Sequence, residues 1–147
     1  MVYSMYTAEG GEPMKFRFGH ICLFVTDLER TLDFYCNKLG FTKMFRESYP
    51  SHNLENVYLR IGPDQFIEFF GNLPEVDNSK ASIKHFCLHV DDIYQIHAEL
   101  SAMGLEISPI RVGSSKCIVC NLTDPDGNQI ELMQLTEESL QKIHDHD

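Results

Sequence analysis

The stretch that decides the fold is Gly19–Phe41, GHICLFVTDLERTLDFYCNKLGF, because much of it returns in Lys84–Ile107, KHFCLHVDDIYQIHAELSAMGLEI. With His20 set on His85 (85 − 20 = 65), Cys22 falls on Cys87, Leu23 on Leu88, Val25 on Val90 and Asp27 on Asp92. Each copy opens as an alternating, β-rich strand and runs into a helix behind an aspartate cap. In the first, Leu28, Leu32, Tyr35 and Leu39 recur on one helical face, and Gly40 stops the helix. In the second, a helix over Asp91–Met103 ends at Gly104.

The segments after each helix also repeat. FTKMFRES (41–48), NVYLRIG (56–62) and QFIEFFG (65–71) are strands, with GPD (62–64) as a tight turn. LEISPIRV (105–112), KCIVCNL (116–122) and QIELMQL (129–135) are strands too, with TDPDGN (123–128) as the turn before the last. The order βαβββ is therefore written twice, and an internal duplication of this kind predicts an α+β fold of two tandem βαβββ modules. Residues 1–15 read as an N-terminal extension, 16–72 as the first module and 73–83 as a polar linker. Residues 84–135 form the second module, and 136–147 a tail that is a short polar helix or frayed.

Composition narrows the classes of function. A chain of 147 residues, 43% hydrophobic and 23% charged, is long enough to bury a core. Its net charge of −10 argues against nucleic acid as a partner, since binding there needs a basic footprint. No apolar run has the length of a membrane span, and the N-terminus lacks the pattern of a secretory signal. The five cysteines (22, 36, 87, 117, 120) have no framework spacing, and those in apolar strand-like runs read as packed thiols. Cys117-x-x-Cys120 lacks the strand-to-helix turn of a redox motif, and the setting expected is reducing and cytoplasmic.

The chemistry is concentrated at four positions. His20 and His85 open the repeated strands, and Glu68 and Glu131 each sit inside an apolar fourth strand. The spacings nearly match (68 − 20 = 48; 131 − 85 = 46). A carboxylate in the middle of a hydrophobic strand is costly to bury without compensation, and two at equivalent positions call for one cause. Two imidazoles and two carboxylates around a divalent cation supply it. On an octahedral ion they leave two adjacent positions for substrate oxygens, an arrangement suited to an enediolate formed beside a carbonyl. Glu68 and Glu131 are then also the candidate catalytic acid and base. Residues two and four beyond a strand ligand share its face, which adds Cys22, Phe24, Cys87 and His89. Phe66 and Phe70 flank Glu68, and Met133 follows Glu131, so the expected pocket is apolar. Phe24, His89, Phe66, Phe70 and Arg60 are the candidate substrate contacts, with Arg111 and Lys116 as further cations, each alternatively a solvated charge. His89 is either a substrate contact or a packed histidine, and His52, His97, His144 and His146 read as solvated.

With H-x-C-L-x-V-x-D, F-Y, L-G, I-E-F and D-P-D-G-N-x-I-E-L in this order, the chain resembles the vicinal oxygen chelate superfamily, nearest its glyoxalase I-like branch, over about Phe16 to Leu135. The resemblance implies paired modules forming a concave mixed sheet around one metal, commonly in a homodimer. It carries the branch's four metal ligands onto His20, Glu68, His85 and Glu131, with nickel, zinc, cobalt, manganese or iron as the ion. It implies a lyase or isomerase handling a small carbonyl or hydroxy-carbonyl substrate through a metal-bound enediolate. The alternatives are an epimerase, a fosfomycin-type resistance transferase and a non-catalytic drug-binding relative. Glutathione-dependent members typically carry arginine at the position of Phe24, a departure that counts against glutathione here.

Overall fold

The computed structural model describes residues 18–77, 79 and 82–145; the extension 1–15 lies outside them, as do His146 and Asp147. The first module runs β1 (His20–Phe24), α1 (Leu28–Leu32), β2 (Thr42–Tyr49), β3 (Leu54–Gly62) and β4 (Gln65–Gly71). The second runs β5 (Phe86–His89), α2 (Ile93–Ala102), β6 (Arg111–Val112), β7 (Ile118–Thr123) and β8 (Gln129–Gln134), and α3 (Leu140–His144) comes after it in the tail. Each module folds its strands into a four-stranded mixed sheet, in the orders β1-β4-β3-β2 and β5-β8-β7-β6. The first strand of each sheet lies at an edge, parallel to the fourth, and the rest is antiparallel. No helix among the described residues is long and apolar enough to cross a membrane.

The duplication extends to individual hydrogen bonds. Asp27 and Asp92 both cap their helices, each accepting from the amide three residues on at 3.0 Å. Val25 N–H donates to Phe70 and Val90 N–H to Met133 at the same point of the two sheets. Gly40 and Gly104 leave their helices at φ near +80°, where a side chain would be strained.

Strand alternation sorts each sheet into two faces. Ile67 and Phe69 of β4 and Val57 and Leu59 of β3 are buried, and join Leu28 and Tyr35 in a core that also takes in Ile93, Ile130 and Leu132 of the second module. At Gly71 β4 passes so close to α1 that an added Cβ would lie 2.1 Å from Leu28 Cγ. The two modules are tied by the turn between β7 and β8. Tyr35 Oη donates to Asp124 Oδ2 at 3.0 Å, and Thr26 donates to Asp126 Oδ1 through both N–H and Oγ1.

Four local expectations differ from the structure. The helix from Leu28 is α-helical only to Leu32 and widens into a π-helical turn over Asp33–Lys38, with Leu39 N–H bonding back to Phe34. The strand read over 105–112 forms only Arg111–Val112 and one bridge at Ile107, because Pro109 has no donor for the ladder. Cys117 and Cys120 are buried, whereas Cys22 and Cys87 lie exposed on the outer faces. His97, expected in solvent, is half-buried, its Nε2 3.1 Å from the Ser108 carbonyl.

Candidate metal centre

The opposite face of each sheet carries the polar constellation. Parallel pairing of β1 with β4 sets Cys22 across from Glu68, so His20, two residues earlier, projects from the same face. The second module repeats this register, with Cys87 across from Glu131 and His85 just ahead of β5. His20 Nε2 lies 3.4 Å from Glu68 Oε2, and His85 Nε2 lies 3.9 Å from Glu131 Oε1. Each module thus presents one imidazole–carboxylate pair.

The first pair is the more elaborately held. Glu68 is 8% exposed and accepts from Asn56 Nδ2 on Oε1 at 2.7 Å. Tyr58 stands opposite Glu68 on the neighbouring strand, as Cys22 does on the other side. Burial first, and then the Glu68 charge, push Cys22 up to about 11, and the same causes raise Tyr58. Around it stand aromatic rings: His20 edge-on to Tyr58, Tyr58 stacked on Phe45, and Phe70 between Phe24 and Tyr49. Neither Asn56 nor Tyr58 stood out in the sequence. The signal was a polar residue in a buried strand, since asparagine is depleted there.

The second pair is barer. Glu131 is half-buried across from Cys87, whose thiol is raised to about 11 by burial first and then by the Glu131 charge. Asn121 stands opposite Glu131 but has its Oδ1 occupied by Arg111 at 3.1 Å. The C-terminal tail folds over one end of this face, with Gln141 touching Met133 and accepting from the buried Cys117 thiol.

The substrate candidates divide between the two modules. Phe24, Phe66 and Phe70 share the face of Glu68, with Phe24 59% exposed. Arg60 is exposed across from Phe66, and no described residue forms an ion pair with it. His89 is exposed opposite Met133 and, with Cys87, borders a cleft of about 990 Å³ between the modules. Apolar residues such as Ile21, Phe41, Leu88 and Ile96 make up most of its lining, with Asp64 and Gln65 at the β3–β4 turn, and none of His20, Glu68, His85 and Glu131 lines it.

The donors suit a divalent ion. Two imidazoles and two carboxylates fit borderline metals, and a cation would favour burial of the Glu68 carboxylate. Yet among the described residues no three His, Cys, Asp or Glu side chains converge as a metal site. The four candidate ligands thus stand in one chain as two separate His–Glu pairs.

The comparisons with known proteins agree with this architecture. A protein named "Probable lactoylglutathione lyase, chloroplastic", from Arabidopsis thaliana, is 31% identical over 127 residues, 82% of this chain but 36% of that protein. The chain thus spans little more than a third of that relative's length. The lactoylglutathione lyase of Neisseria meningitidis serogroup A is 27% identical over 126 residues, 80% of this chain and 90% of its own. Among solved structures, a glyoxalase family protein from Enterococcus faecalis superposes with a TM-score of 0.72 at 26% identity, covering 80% of this chain and 96% of that one. The family profile of the Glyoxalase/Bleomycin resistance protein/Dioxygenase superfamily matches residues 17–132, a span that takes in nearly all of both modules and all four candidate ligands. By its repeat, its paired mixed sheets and this match, the chain belongs to the glyoxalase/bleomycin resistance protein/dioxygenase superfamily.

Proposed function

We propose that this protein is a metal-dependent, glyoxalase-like lyase or isomerase acting beside the carbonyl of a small molecule, its site built from two copies of the chain. The observation that carries this reading is the His–Glu pair set twice, in equivalent register, on the solvent faces of two separate sheets. His20 and Glu68 of one copy, with His85 and Glu131 of the second, would hold the ion. The family relatives named as lactoylglutathione lyases support the reaction class. The exposed aromatic face around Phe24, Phe45 and Tyr49 supports a homodimer, because a contiguous apolar surface of that kind marks an interface.

A bound divalent ion would supply electrostatic stabilisation of the negative charge that develops on the substrate's oxygens. The protein does the rest. The aromatic rings of the first module exclude water and seat the apolar part of the substrate. One glutamate carboxylate takes the proton from the carbon next to the carbonyl, and its counterpart returns a proton to the neighbouring position. Cys22 and Cys87, kept as neutral thiols, flank the carboxylates of Glu68 and Glu131. Phe24 replaces charge with an apolar ring, so α-hydroxy-carbonyl compounds, tried with and without added thiol, are the substrates to screen first.

The test is metal content by elemental analysis on wild type, His20→Ala, His85→Ala and an equimolar, refolded mixture of the two variants, all lacking residues 144–147. Wild type should hold close to one ion per chain and each variant far less. In a mixed dimer one site carries both lesions and the other carries none. Random assembly should then restore about a quarter of the wild-type sites, whereas sites built within single chains would gain nothing on mixing. A wild type that binds no divalent metal would overturn the reading.

A further inference from the structure

We infer that Asn56 is a positioning residue that fixes the orientation of Glu68 and so makes the two glutamates of the centre inequivalent; this rests on the metal-centre reading above. The two half-sites match in their His, Cys and Glu, and differ in what stands on the neighbouring strand. In the first module that strand carries Asn56, 2% exposed. Its side-chain amide donates to Glu68 Oε1 at 2.7 Å and to Glu47 Oε2 at 3.3 Å. Both N–H groups therefore point at carboxylates, which fixes the amide's orientation: turned over, its oxygen would face two anions. The outcome leaves Asn56 Oδ1 buried with no hydrogen-bond partner. A buried orphan acceptor is an unfavourable feature, tolerated here because the two charge-assisted bonds on the other side are stronger.

The consequence falls on Glu68. With Oε1 tied to Asn56 inside the sheet, the carboxylate can turn only by giving up that bond, and Oε2 stays directed toward His20. Glu131 has no such anchor. The residue of β7 equivalent to Asn56 is Val119, paired with Met133 as Asn56 is paired with Phe70. The Asn56 bond thus makes Glu68 the fixed carboxylate of the centre and leaves Glu131 the freer one.

The experiment compares zinc affinity, by competition with a chromophoric chelator, and the visible spectrum of the cobalt-loaded protein for wild type, Asn56→Leu and Asn56→Ser. Folding is checked by circular dichroism. Loss of the bond that orients Glu68 should weaken zinc about 10- to 100-fold in Asn56→Leu and change the cobalt bands, with Asn56→Ser between it and wild type. Wild-type affinity and spectrum in a folded Asn56→Leu would overturn the inference while leaving the metal reading intact. A wild type that binds neither metal would overturn both. A second measurement needs no variant: the Asn56 side-chain amide protons of the wild type should exchange slowly and shift on zinc addition. Fast exchange with no shift would likewise refute the role.

Discussion

The contact between Tyr35 and Asp124 is the point at which the fold can be tested most sharply, by Tyr35→Phe. Tyr35 is fully buried, and its hydroxyl is its only polar side-chain atom, donating at 3.0 Å to an aspartate that is itself 4% exposed. Asp124 keeps other partners after the substitution: the N–H groups of Asp126 and Asn128 on Oδ1, and Asn128 Nδ2 on Oδ2. The carboxylate is not orphaned, so the loss is that of one charge-assisted bond, about 2 kcal/mol. For a chain of this size that lowers Tm by roughly 5–8 °C. The pH dependence carries more information. Burial, and then the Asp124 charge, hold the Tyr35 hydroxyl far above the ordinary tyrosine range, so the folded state keeps its proton where the unfolded chain gives it up. The stabilisation from this bond is therefore complete below about pH 10 and is lost as pH rises further, by about 1.4 kcal/mol per unit. Denaturant unfolding of both proteins from pH 7 to 11.5 measures the difference directly, other titrating groups cancelling. A difference below about 0.5 kcal/mol at pH 7, or one flat across the whole range, would refute the reasoning.

Gly71→Ala should cost about 2–3 kcal/mol by thermal unfolding, because the new methyl would meet Leu28 Cγ at 2.1 Å and α1 cannot withdraw without opening the core. If the outer face of the first sheet is covered by a second copy, Phe24→Asp should shift sedimentation toward monomer; with the ring 59% exposed in one chain, monomer stability should change by less than about 0.5 kcal/mol.

The repeat was legible because strand alternation, aspartate caps and terminating glycines are local features that act within a few residues. The positions of His20, Glu68, His85 and Glu131 were legible for the same reason, since a carboxylate amid apolar strand residues has few explanations. Asn56 was not, because its meaning depends on pairing with a strand that arrives later in the chain, through the register Asn56 opposite Phe70. The relation of the modules was not legible either. It is set by Tyr35 and Thr26 meeting the β7–β8 turn 89 and 100 residues away, contacts that no periodicity announces.

That turn also explains why the pseudo-symmetry of the sequence is broken in space. Between β7 and β8 residues 124–128 form a loop held internally by Asp124, long enough to reach α1. Between β3 and β4 the corresponding turn is only Pro63 and Asp64, with Asp64 at φ +54°. Had the two turns been equal, the shorter one would fill the space beside α2 as its counterpart fills the space beside α1. It falls short, and the cleft of about 990 Å³ bounded by Pro63, Asp64, Ile96 and Leu100 is what remains. The same βαβββ unit used twice is therefore braced firmly on one side, through Tyr35 on Asp124 and Thr26 on Asp126, and left open on the other. The open side adjoins β5, the strand that carries Cys87 and His89 beside the His85–Glu131 pair. Adjustment between the modules would therefore change the distance between the His20–Glu68 and His85–Glu131 pairs, each pair keeping the geometry that its own sheet gives it.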